Sequence, residues 1–125
     1  FETNFSSELV LNMILEFKEA NFKISMYYFG LYSEDESVCR VIQRYQTGGH
    51  DVNDDVIRFN FNEGLKKTKE NLSLFDNITF IDGNSDFGKV VALHIGRDGI
   101  HEVTNNPPLW FKEHFEKLFA DLLKR

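Results

Sequence analysis

Arg40 and Arg44 stand four residues apart, Gly48-Gly49-His50-Asp51-Val52 follows, and Arg58 comes six positions later. Side chains four apart share one face of a helix, so the first two guanidiniums would project side by side. A guanidinium stays charged and donates paired hydrogen bonds from a planar fork, which suits phosphate and carboxylate. The chain carries a formal net charge of -6. Arginines gathered beside a flexible turn in so acidic a chain point to a grip on an anion.

The totals narrow what that anion belongs to. An acidic chain of 125 residues lacks the basic footprint of a general nucleic-acid binder, but it can still hold a local pocket for a nucleotide. The length fits one domain or a piece of one. The hydrophobic content of 42% with 13 Phe predicts an aromatic core. Cys39 is the single cysteine, so no internal disulfide forms and a reducing cytoplasm is expected. No apolar run reaches the roughly 20 residues of a membrane span. No secretory signal is evident. No Cys or second His stands at metal-ligand spacing. The first residue is Phe1 rather than Met, which reads as a fragment or processed product.

The elements that must position the arginines follow from periodicity and caps. Ser6-Ser7-Glu8 opens a helix to about Ala20, with Leu9, Leu11, Ile14, Leu15 and Phe17 as its apolar residues. Phe22–Leu31 is a continuous run of β-formers, which predicts a strand buried on both faces, as in a parallel sheet. Ser33 and three acids open a second helix that Gly48-Gly49 stops. Asn53-Asp54-Asp55 opens a third, reaching about Leu74, in which Gly64 costs about 1 kcal/mol relative to Ala. Asn77–Asp82 reads as a second buried strand. Val90–Ile95 and Ile100–Val103 read as strands around the turn Gly96-Arg97-Asp98-Gly99. Pro107-Pro108 starts one last helix with Trp110, Phe111, Phe115, Leu118, Phe119, Leu122 and Leu123 on its apolar side. The order is that of an α/β domain, with fewer strands than a parallel sheet needs.

Gly83-Asn-Ser-Asp-Phe-Gly88-Lys89-Val90 fits G-x-x-x-x-G-K and follows a strand, as a phosphate-binding loop does. Val90 stands where Ser or Thr should ligate Mg²⁺. The segment after it is β-branched rather than the helix whose amino end should meet phosphate. The expectation is a strand-to-strand loop.

Glu2-Thr3-Asn4-Phe5-Ser6, YYFGL, Arg40-Val41-x-x-Arg44 with Gly-Gly-His-Asp-Val, Ile57-Arg58, Asn71-Leu72 and Ile81-Asp82-Gly83-Asn84-Ser85 resemble, in order and spacing, the zeta-toxin family of P-loop kinases over about residues 1–95. The resemblance implies the C-terminal part of a three-layer α/β/α kinase fold with parallel strands, whose Walker loop, Mg²⁺ ligand and base aspartate lie on segments that this chain lacks. It implies phosphoryl transfer from ATP with Mg²⁺ to a small, sugar-nucleotide-like acceptor, with restraint by an antitoxin protein; this part alone should be inactive. It further implies a helical lid at about 34–62, with Arg40 and Arg44 over the ATP phosphates and Arg58 stabilising the transferring group. Glu2 and Thr3 would face the acceptor from the carboxyl end of a strand, and Asp82, Asn84 and Ser85 would lie toward adenine. The chain departs from the family in the run Arg58-Phe59-Asn60-Phe61, where several arginines are usual, and in Asn53 after the Gly-Gly motif, where Pro is usual.

Plainer readings stand beside these. Arg40 and Arg44 could pair with Glu36 and its neighbours on a solvated helix, and Arg58 could be a surface residue. His50 could structure its loop, and His101 and His114 could be surface residues. Glu2 and Thr3 could simply end a strand and start a helix. The aromatic last helix would be core or a docking surface. The alternative function is a non-catalytic protein-interaction domain derived from a kinase. An open sheet edge in such a fragment also raises the expectation of a homodimer.

Overall fold

The computed structural model describes residues 1–31, 33–46, 53–84 and 88–124, with residues 44–46 as backbone. Helix α1 (Glu8–Glu19) leads into strand β1 (Ser25–Gly30), helices α2 (Glu34–Gln46) and α3 (Asp54–Glu70), and strands β2 (Asn77–Asp82), β3 (Lys89–Ile95) and β4 (Ile100–Val103). Two short helices, α4 (Leu109–His114) and α5 (Glu116–Asp121), complete it. The chain is therefore mixed α/β. Among the described residues the strands form one sheet, in the order β1-β2-β3-β4. β1 and β2 are parallel, joined through α2 and α3, as a parallel pair requires. β3 and β4 add antiparallel, so most of the pairing is antiparallel.

Local chemistry explains the helix starts. The Ser7 hydroxyl accepts from the amides of Leu9 and Val10, and the Asn53 side chain accepts from the Asp55 amide at 2.7 Å. Both satisfy donors that a helix start leaves open. Gly64 has a reason the sequence did not reveal. A Cβ there would lie 2.1 Å from the Asn4 carbonyl oxygen, so the glycine lets the residues ahead of α1 cross α3 at close range. Thr68 below it donates its buried hydroxyl to the Gly64 carbonyl at 2.7 Å.

One face of the sheet carries the core. Met26, Tyr28, Ile78, Phe80 and Ala92 meet Val10, Leu11 and Ile14 of α1, Leu65 of α3, and Trp110, Phe111, Phe115 and Phe119 of the last two helices. Phe80 is the hub, with ring centroids of Phe115, Phe111, Phe119 and Tyr28 at 4.7, 5.2, 5.6 and 5.7 Å. Aromatic pairs at such spacings add to the gain from burial alone.

Three expectations need correction. The C-terminal segment is two helices, not one: Phe115 leaves helical geometry at φ -125°, while Phe111, Phe115 and Phe119 are all fully buried. β1 is not buried on both faces, because Tyr27 and Phe29 are 66% and 63% exposed while Met26 and Tyr28 turn inward. As an edge strand it has a covering layer on one side only. His101 is no free surface residue, since its ring stacks on Phe119 at 4.2 Å.

Candidate functional site

Open α/β sheets take ligands at the carboxyl ends of their parallel strands, and the chain gathers polar groups there. Gly30 ends β1 and Asp82 ends β2. The Trp110 indole lies against Gly30 so closely that a Cβ would be 2.3 Å from the ring. Its Nε1 points to Asp82 Oδ1 at 3.4 Å. The same oxygen accepts from the Asn84 amide at 3.1 Å and from Asn84 Nδ2 at 2.8 Å. Arg40 reaches this corner from α2 and donates to the Gly83 carbonyl. Its Nε also pairs with Glu36 at 3.4 Å, one turn back. Arg40 and Asn84 thus share one corner, and the plainer pairing with Glu36 coexists with that reach.

Asp82 also lines an open cleft of about 310 Å³, together with Lys89, Thr104, Asn105, Asn106 and Pro108. Lys89 is the lysine of the G-x-x-x-x-G-K segment. It opens strand β3, and β3 pairs antiparallel with β2. The segment therefore connects β2 to β3, as its β-branched continuation predicts, and its lysine lies on a strand rather than at a helix start.

Arg58 sits elsewhere. Its Nη1 lies 2.8 Å from Glu34 Oε1 and 2.7 Å from Asp35 Oδ1. Asn62 donates to the other Glu34 oxygen at 2.6 Å. Hydrogen bonds, first from Asn62 and then from Arg58, hold Glu34 below the usual carboxylate range, and Asp35 ahead of Glu34 raises Arg58. Two carboxylates already face this guanidinium, both at Nη1, so an arriving phosphate would compete with them for its charge. Two acids of the first turn of α2 thus fasten it to α3.

Glu2 and Thr3 are exposed and belong to no strand. The Thr3 hydroxyl accepts from the Phe5 amide at 3.0 Å, which steadies the turn that buries Phe5. The side chain of Arg44, residues 47–52 with Gly48, Gly49 and His50, and Ser85 lie outside the described residues.

Sequence reasoning missed two groupings. One is the Trp110–Asp82 contact, between residues 28 apart, for which no local signal exists. The other is the pair His94 and His101, with Nδ1 atoms 2.9 Å apart. Burial, and then His94, push His101 below its ordinary value. Hairpin register could have found this pair, because the turn at 96–99 sets Ile95 opposite Ile100 and so His94 opposite His101.

No family of known sequences, no curated protein and no solved structure matches this chain.

Proposed function

We propose that this chain is the lid-bearing, C-terminal part of an ATP-dependent small-molecule kinase of the zeta-toxin type, with parallel strands continuing beyond β1 into a three-layer α/β/α fold. One observation carries the reading. α2 delivers Arg40 to the carboxyl ends of a parallel strand pair, beside Asn84 and Asp82, where such sheets bind nucleotides. In this reading Arg40 and Arg44 contact the phosphates of ATP–Mg²⁺, and Asn84 lies toward the base. Glu2 and Thr3 face the phosphoryl acceptor. Arg58 serves the transferring group in competition with Glu34 and Asp35.

The test uses the full-length gene product, labelled ATP and UDP-N-acetylglucosamine. The reading requires a strand followed by G-x-x-x-x-G-K-[ST] encoded ahead of Phe1, because Val90 and strand β3 disqualify the segment present. It also requires transfer that falls roughly 100-fold or more in Arg58→Ala, the usual cost of removing a donor to developing charge. Absence of that upstream motif ends it.

A second reading is a non-catalytic protein-interaction domain, favoured by the double carboxylate clamp on Arg58 and by the exposed aromatic rings of β1. Calorimetry separates the two. Absence of binding by the full-length protein at millimolar ATP–Mg²⁺ supports the interaction domain, and binding lost in Arg40→Ala supports the kinase.

A further inference from the structure

His94 and His101 share one hydrogen. Hairpin register sets them opposite each other on β3 and β4, and both are half-buried. Their Nδ1 atoms are 2.9 Å apart and their ring centroids 5.2 Å apart. The difference is about two ring radii, so each nitrogen points straight at the other. Such a contact is a hydrogen bond, and it needs one donor and one acceptor. In the neutral pair one ring therefore carries its hydrogen on Nδ1 and the other on Nε2. A first added proton enters at the free Nε2 of the donor ring and leaves the bond intact, now charge-assisted. A second proton must take the Nδ1 lone pair that accepts the bond. Two charged rings cannot then hold their Nδ1–H groups face to face.

We infer that this second proton releases α5: it parts His101 from His94 and loosens the helix whose Phe119 lies on the His101 ring. The inference does not rest on the kinase reading. His101 stacks on Phe119 at 4.2 Å with the planes 22° apart, and His94 meets the same ring edge-on at 6.2 Å. α5 has six residues and no side-chain cap at its start, so it depends on packing of this kind. Neighbouring charges do not offset the second proton on His101. Burial acts on it first and His94 second, both against the charged form. Glu102 alternates to the opposite face of β4 and is exposed. Arg97 and Asp98 are exposed in the turn, as are Glu116 and Lys117 on α5. Asp121 pairs with Lys124 at 3.3 Å. β2 sets Ile78 opposite His94, and Asp76 ahead of it is engaged by the Ile24 amide and Lys18.

Nitrogen-15 spectra of the imidazoles and amide exchange, followed from about pH 8 to about pH 4.5 across the histidine range, test this on the 125-residue chain. The expected spectra show one protonated and one bare Nδ1 in the neutral pair. They then show two titration steps, the last below the ordinary value of about 6.5. Through that step the protection of the Phe119 and Leu122 amides falls by up to about tenfold per pH unit, while that of the Phe80 amide in β2 holds. In His101→Phe, which keeps a ring on Phe119 and takes no proton, α5 protection stays flat. If that variant loses its fold, the wild-type spectra and the comparison of Phe119 with Phe80 decide. Two bare Nδ1 atoms in the neutral pair overturn the inference, as does a single step at the ordinary value. So does Phe119 exchange that tracks Phe80 throughout, or that rises equally in the variant.

Discussion

Tyr27 and Tyr28 are adjacent and identical, yet they live on opposite faces of one sheet. Tyr28 lies under Phe115 at 4.9 Å and beside Trp110, and burial pushes its hydroxyl up to about 12. Tyr27 is 66% exposed. The two faces draw on the same β-forming residues, Phe80 on one and Phe29, Ile81 and Val90 on the other. What differs is the layer above them. α4 and α5 bring three phenylalanines to the first face, while Phe29 and Val90 remain 63% and 56% exposed on the second. The comparison teaches that an apolar strand residue contributes stability only where another element removes it from water.

The sharpest way to break this contrast is Phe80→Ala. It empties the hub of the ring cluster and should cost about 3–5 kcal/mol, whereas Phe29→Ala on the other face should stay within about 0.5 kcal/mol in the monomer. Urea unfolding of both variants, at concentrations where the chain is monomeric, checks this; equal losses would erase the distinction between the faces. Gly30→Ala comes next. Its Cβ would collide with the Trp110 indole, an overpacking that costs about 1–3 kcal/mol and should also move the tryptophan fluorescence. Ser7→Ala removes the cap of α1 and should cost about 1 kcal/mol, read as a lower melting temperature.

The smallest effects are pH effects. Tyr28 keeps its proton in the fold while an unfolded tyrosine loses its own near 10. Its contribution is therefore whole below about pH 10 and is lost as the pH rises toward about 12. Ultraviolet titration should show one tyrosine ionising last, and Tyr28→Phe should remove that step. His101 behaves in the opposite sense. Burial lowers its pKa, so its contribution is present above about pH 6.5, the unfolded value, and falls as acid protonates it. The melting temperature should drop less on acidification in His101→Phe than in the wild type.

Much of the fold was legible in the sequence because its signals are local. The cap at Ser7, the cap at Asn53, the strand Asn77–Asp82 and the hairpin around residues 96–99 each depend on residues within a few positions. The candidate site was legible in part. Arg40 and Asn84 were singled out separately, and the fold brings both to Gly83 and Asp82. The sequence pattern marks Arg58 as an anion grip, but 24 residues separate it from Glu34, and no periodicity reports so distant a carboxylate. Helical periodicity likewise predicted one C-terminal helix, because the three phenylalanines stand four apart whether or not the helix breaks at Phe115.

By itself the sequence determined the element types, their order, the aromatic composition of the core and the failure of the G-x-x-x-x-G-K segment as a phosphate cradle. Each of these follows from intrinsic propensity or from a residue's own chemistry. The tertiary structure alone decided which tyrosine is buried and which arginine is already neutralised, and it set Gly64 against Asn4 and Trp110 against Gly30. Burial and charge pairing arise between segments far apart along the chain, and only packing sets those distances.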